Sequence, residues 1–265
     1  MPVLAVIPAR LGATRLPRKP LRLLGGVPLV VRVYQRVSAL RVAERCVVAT
    51  DSAEVMAACA AHDVPAVMTA ASHPSGTDRV AEVARRPEYQ GFQVILNVQG
   101  DEPFVSRRAL LGAVRIVAEG LAPIGTAAVP IDALLLNRAD VVKVVRTDAG
   151  HALYFSRAPI PFLREAADSE LLAPFALQHV GVYAYAPAAL AKWVSLPPHP
   201  LELIERLEQL RPLAHGIPIG VAQVEAVEGG IDTEDDLARA NAHWMIQNAM
   251  TEQFPIPTPS LRDAR

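Results

Sequence analysis

Four short, nearly continuous apolar runs in the first hundred residues constrain the fold most. Val94 to Val98 reads V-I-L-N-V, Val3 to Pro8 is similar, Arg45 to Thr50 reads R-C-V-V-A-T, and Pro65 to Met68 is shorter. Such runs fit strands buried on both faces rather than half-solvated ones. Helical patterns separate them. Leu29, Val30, Val33, Val37 and Leu40 recur at helical spacing after Pro28, and Ser52 stands as an N-cap for a helix reaching Ala61. A further helix begins at the end of the polar loop Ser72 to Arg79. Buried strands alternating with helices predict an α/β fold with a mostly parallel sheet covered on both faces. Ligands in such folds lie beyond the carboxyl ends of the strands. Those ends carry the Arg10 loop, Thr50-Asp51, the Ser75 loop and Gln99-Gly100-Asp101.

The second half is patterned differently. Ser106 caps a predicted helix to about Glu119, and Thr126 to Ile131 is strand-like. Val141 to Arg146 and Ala152 to Ser156 flank the turn Asp148-Ala149-Gly150, a hairpin signal. Pro159 to Pro174 is irregular. His179 to Ala186 and Ile219 to Val224 read as strands, Pro187 to Val194 and Leu201 to Leu210 as helices. Thr233 and Asp236 have capping-box spacing at the head of a last helix. One domain is expected over 1–250, with a nucleotide half near 1–130, a smaller mixed β lobe near 131–230, and a Pro-rich tail at 251–265.

The stretch Ile7 to Leu21, I-P-A-R-L-G-A-T-R-L-P-R-K-P-L, concentrates Arg10, Arg15, Arg18 and Lys19, while no acid precedes Glu44. Net charge over the chain is only −1, so the cations form a local feature. That balance argues against a general nucleic-acid binder. A rigid cationic loop between buried elements predicts a polyanion cradle, such as one for a triphosphate, with Thr14 adding a hydroxyl. Asp101, immediately after the fourth strand, and Asp232, on a glycine-rich loop, are carboxylates of the kind that hold Mg²⁺ beside phosphates. Neither G-x-x-x-x-G-K-[ST] nor G-x-G-x-x-G occurs, and no G-x-S-x-G elbow or H-E-x-x-H pair is present. No apolar run reaches a membrane span. Cys46 and Cys59 read as reduced core thiols, which suits a cytoplasmic setting.

These motifs together resemble those of the 3-deoxy-manno-octulosonate (Kdo) cytidylyltransferases. The resemblance rests on P-A-R-x-x-x-T-R-L-P-x-K-P-L, V-A-T-D (48–51), H-P-S-G-T-D-R (73–79) and N-V-Q-G-D-E-P (97–103). It continues through V-K-V-V (142–145), A-L-Y-F-S-R-A-P-I-P (152–161), Q-H-V-G-V-Y-A-Y (178–185), L-E-x-x-E-x-L-E-Q-L-R (201–211) and the G-I-D-T loop (230–233). Gly12-Ala13 departs from the family's frequent Ala-Ser, and the tail after about His243 has no counterpart.

The resemblance implies a Rossmann-like nucleotidyltransferase sheet and transfer of CMP from CTP to Kdo, releasing pyrophosphate, with Mg²⁺ on Asp101 and Asp232. It implies Ala9, Arg10, Thr14, Arg15, Lys19, Thr50, Asp51, Ser75, Gly76, Arg79 and Gly100 around CTP, with Arg10 and Lys19 also acting in catalysis. It implies Gln99, Arg157, His179, Tyr183, Glu208 and Gln209 around Kdo, with Arg157 meeting the sugar carboxylate. A homodimer, and a product destined for lipopolysaccharide, are implied in the same way. A transferase for another 2-keto acid sugar, a glycosyltransferase on a similar sheet, and a non-catalytic nucleotide-binding module remain as alternatives on the residues alone.

Overall fold

The computed structural model describes residues 1–12, 16–132, 134–165, 169–172, 174–225 and 230–253. The apolar runs become β1 (Val3–Ala9), β4 (Arg45–Thr50), β5 (Ala66–Met68) and β6 (Val94–Val98). Between β1 and β4 lie a hairpin of β2 (Leu23–Leu24) and β3 (Val27–Pro28) and then α1 (Leu29–Ala39). Helices α2 (Ala53–Ala60) and α3 (Gly76–Ala84) follow β4 and β5, and α4 (Arg107–Ala118) follows β6. The serine caps expected at Ser52 and Ser106 are present, and Ser75 adds a third. Ser52, Ser75 and Ser106 accept from the backbone N–H groups of Val55, Asp78 and Ala109.

The second half supplies β7 (Ile124–Pro130), β8 (Lys143–Arg146), β9 (Ala152–Ser156) and α5 (Ser169–Leu172). Next come β10 (Leu177–Tyr185), α6 (Pro187–Ser195), α7 (Pro200–Glu205), α8 (Leu210–Ala214), β11 (Ile219–Gln223) and α9 (Glu234–Gln253). The single helix expected over Leu201 to Leu210 is split. Arg206 takes left-handed φ, 54°, ends α7, and lets the chain turn before α8. The last helix runs into the region expected to be tail, and the rest of that tail lies outside the described residues. No helix among the described residues is long and apolar enough to cross a membrane.

One nine-stranded sheet holds both halves, in the order β11-β7-β10-β6-β1-β4-β5, with β8 and β9 branching from β10. β6, β1, β4 and β5 are mutually parallel, as the buried runs predict. β10 then enters antiparallel between β6 and β7. The expected smaller lobe is therefore a continuation of the same sheet, and the β8–β9 hairpin is the part that extends from it. Strand alternation divides the core. Val3, Ala5 and Ile7 of β1 pack with α1, α2 and α4 on one face. Leu4 and Val6 pack with α3 and α6 on the other, where Trp193 meets Tyr183 and Tyr185 edge-on at 6.0 and 5.6 Å.

Trp193 is 2% exposed at the centre of that second face. Trp193→Ala is expected to cost about 3–5 kcal/mol of unfolding free energy, with Trp193→Phe losing less, measured as a shift in denaturant midpoint.

Candidate functional site

β1 and β6 end side by side, and the loops leaving them form the wall of a cavity of about 340 Å³. Gly100 permits this approach, since a Cβ there would lie 2.8 Å from the Pro8 carbonyl oxygen. Ala9, Arg10 and Lys19 line the cavity on one side, Gln99, Gly100, Asp101 and Asp232 on another, and Ser75, Gly76, Arg79 and Glu208 close the remainder. Three of the four strand-end clusters expected from the sequence thus meet in one cavity. Thr14 and Arg15 lie outside the described residues.

Lys19 sits at the centre of the charge arrangement. Its ammonium donates to Asp101 Oδ2 at 2.5 Å and to Asp232 Oδ1 at 2.7 Å. Burial works against the ammonium, but the two carboxylates outweigh it and raise the Lys19 pKa above the ordinary lysine value. The two acid loops are also tied through their backbones, Ile231 N–H donating to the Asp101 carbonyl at 2.9 Å. Glu102 stands behind them. Burial, then the charges of Asp101 and Asp232, push its pKa up to about 8. A cation held between Asp101 and Asp232 is what their oxygens can also offer a divalent metal, so the donor set fits Mg²⁺.

At the far end, the Ser75 hydroxyl donates to Asp78 Oδ2 while capping α3. Arg79 is buried and committed to Asp51 at 2.7 Å and to the Thr69 hydroxyl. Thr50 is buried and accepts from Ser52 N–H at 3.2 Å. Thr50 and Asp51 therefore stand behind the cavity wall and not in it. Asp51 faces the cavity only through Arg79.

The residues expected around the sugar divide in two. Gln99 and Glu208 line the cavity, Glu208 accepting from the Thr77 hydroxyl at 2.8 Å. Burial raises the Glu208 pKa, opposed by the Thr77 and Ser75 hydroxyls. Gln209 is buried at the head of α8. It adjoins the buried pair in which Arg211 donates twice to Glu202, at 2.7 and 2.5 Å, and that pair clamps α8 to α7. Arg157, expected at the sugar carboxylate, is engaged by backbone. Its guanidinium donates to the backbone carbonyls of Glu205 at 2.8 Å, Ala139 at 3.0 Å and Arg206 at 3.4 Å, and it does not line the cavity. The carbonyls freed where α7 ends at Arg206 attract it, so it acts as a clasp on that turn. The cations that do line the cavity among the described residues are Arg10, Lys19 and Arg79.

His179 and Tyr183 lie on one strand face, as alternation predicts, and pack ring to ring at 5.3 Å below the cavity wall. The Thr126 hydroxyl donates to the Val182 carbonyl at 2.7 Å, so it accepts from His179 Nε2–H at 3.0 Å. That assigns the Nε2–H tautomer. The Tyr183 hydroxyl is buried without a hydrogen-bond partner among the described residues, while the Tyr185 hydroxyl lies against Asn97 and Thr77. Asn97, Tyr185 and Thr77 were not singled out from the sequence. The one signal was a polar residue inside V-I-L-N-V.

A cytidylyltransferase family model matches residues 4–219. The 3-deoxy-manno-octulosonate cytidylyltransferase of Gemmatimonas aurantiaca is 73% identical over 249 residues, covering 94% of this chain and 96% of that protein. The protein of the same name from Polynucleobacter necessarius is 47% identical, covering 89% and 93%. Among solved structures, CMP:2-keto-3-deoxy-manno-octonic acid synthetase complexed with CTP superposes with a TM-score of 0.83 at 36% identity, covering 94% of this chain and all of that one.

Desolvation pushes the His179 pKa down to about 3. The unfolded chain therefore takes up a proton near the ordinary value of about 6.5 that the folded protein refuses until about pH 3. Stability carried by neutral His179 is full above about pH 6.5 and is lost as pH falls towards 3. In denaturant titrations at pH 4 and pH 7, His179→Gln should show a smaller acid loss than the unmodified protein.

Proposed function

The chain belongs to the 3-deoxy-manno-octulosonate cytidylyltransferase family, and from that premise we infer that it transfers CMP from CTP to the anomeric hydroxyl of Kdo, releasing pyrophosphate. The observation that carries the reading is the single cavity in which Arg10, Lys19 and Arg79 face Asp101 and Asp232. A triphosphate needs the cations, and an acid-rich corner amid those cations needs a reason. Mg²⁺ on Asp101 and Asp232 provides one, supplying Lewis-acid neutralisation of phosphate charge.

In this reading the hydroxyl oxygen of the sugar attacks the α-phosphorus in line. The bond from that phosphorus to the bridging oxygen breaks, pyrophosphate leaves, and the hydroxyl proton passes to solvent. Arg10, and Lys19 once it turns from the carboxylates, neutralise charge on the phosphate oxygens. Ser75, Gly76 and Arg79 bound the nucleoside end. Gln99 and Glu208 meet sugar hydroxyls. The product is a donor for a later glycosyl transfer into lipopolysaccharide. A CTP-consuming step beside two free cysteines, Cys46 and Cys59, fits a cytoplasmic setting.

The reading includes a homodimer. Leu153, Phe162 and Phe175 are 59%, 81% and 54% exposed around the β8–β9 hairpin, an apolar surface in keeping with a partner.

Pyrophosphate release is expected only when CTP, Kdo and Mg²⁺ are all present; release with another 2-keto sugar acid but none with Kdo overturns the substrate. Asp101→Asn should lower kcat about 100-fold or more while CTP binding weakens far less. Sedimentation should give a dimer, and Leu153→Glu with Phe162→Glu should give a monomer; an unchanged mass for that variant removes this surface from the interface.

A further inference from the structure

Asp232 lies beyond residue 219, where the family match ends, and only the segment opening α9 carries it. It is also the more exposed of the two carboxylates on Lys19, at 44% against 25% for Asp101. What holds α9 therefore holds Asp232. Near the middle of the helix, the Asn241 side chain accepts from Gly25 N–H at 2.9 Å and donates to the Leu23 carbonyl at 3.1 Å. One turn on, Trp244 lies under the Arg32 guanidinium, 4.2 Å from ring centroid to Cζ. Arg32 in turn donates to the carbonyls of Leu24 and Gly25 at 2.9 and 2.8 Å. The indole is so close to the Gly25 turn that a Cβ on Gly25 would meet it at 2.4 Å. At the helix start, Arg22 pairs with Glu234 through two bonds of 2.5 and 2.6 Å.

Beneath this clasp is a small core separate from the two sheet-face cores. It joins Leu16, Leu24, Leu29, Ile231, Leu237 and Ala240, with Phe104 and Trp244 packed against it. Leu16 precedes Lys19 by one turn, Phe104 follows Asp101 by one, and Ile231 adjoins Asp232. Each loop that bears one of the three charges thus places an apolar residue in the same core.

We propose that Asn241 and Trp244 are positioning residues: by clasping α9 to the Gly25 turn they fix Asp232 against Asp101, and so set the affinity of the nucleotide complex for divalent metal. This rests on the reading that Asp101 and Asp232 hold the metal. Two carboxylates with Glu102 behind them repel one another once Lys19 turns to phosphate, and the more exposed partner relaxes outward unless its helix is held.

Mn²⁺ serves as the probe, titrated against the full chain with CTP and followed by electron paramagnetic resonance. Trp244→Ala and Asn241→Ala are each expected to raise the Mn²⁺ Kd about tenfold, as loss of an outer support typically does. The Mg²⁺ concentration for half-maximal pyrophosphate release should rise in parallel, with metal-free CTP binding unchanged. Trp244→Phe should restore most of the affinity. A lowered melting temperature with wild-type Mn²⁺ affinity and Mg²⁺ dependence overturns the proposal. If Trp244→Ala does not fold, Asn241→Ala decides by the same measurements. Asp101→Asn is the control: wild-type Mn²⁺ affinity in that variant refutes the metal reading itself and not the role of the clasp alone.

Discussion

The bridge from Lys19 to Asp101 and Asp232 is the interaction on which the rest of the site depends. It joins a loop after the first strand, a loop after the sixth, and the entry to the last helix. A lysine with its side chain only 13% exposed is costly unless its charge is met, and here it is met twice. The bridge also keeps two carboxylates near each other before any metal arrives. In the proposed reaction a triphosphate entering beside Arg10 would compete for the ammonium, and giving Lys19 to phosphate would free both carboxylates for a divalent cation.

The sheet brings the second half of the chain next to this charge cluster. β10 runs antiparallel to β6 and pairs Tyr183 with Asn97, so residues from the second half of the chain stand directly beside the strand that presents Asp101. Its pairing with β7 slips between Val180 and Tyr183, around Gly181. The bulge leaves His179 and Tyr183 on one face with rings in contact. The Glu202–Arg211 pair then fixes the turn that lowers Glu208 onto the cavity rim.

Much of this was legible in the sequence because local rules and burial agree there. The apolar runs became the parallel strands, and the caps at Ser52 and Ser106 fell where the sequence put them. Thr233 and Asp236 form the reciprocal cap that their spacing announces, with Asp236 N–H on the Thr233 hydroxyl and Thr233 N–H on the Asp236 carboxylate. The site residues nearest the strand ends converge as the fold rule requires. A cation after a strand, such as Arg157, looks the same in sequence whether it meets a ligand or a carbonyl. Two of its carbonyl partners, Glu205 and Arg206, lie at the end of α7, whose break leaves no clear periodic trace, and the third is Ala139. Thr50 and Asp51 do not line the cavity, and Asp51 pairs with Arg79, which does, since sequence order says which strand end a residue occupies and not which side chain stands in front.

The longest connections matter most for when the site exists at all. Lys19 and Asp232 are 213 residues apart, and Lys19 and Asp101 are 82 apart. Closing such loops costs entropy that grows slowly with length but must be met before the contact rewards it. The parallel half can assemble β1, β4, β5 and β6 with their helices and still present an incomplete cavity, because its second carboxylate has not arrived. Phe104 and Leu16 would then expose apolar surface that Ile231 and Leu237 cover in the finished fold. The docking of the last helix therefore buries the small core and completes the acid pair in one event. Coupling the two in that way ties the appearance of the binding site to the completion of the fold.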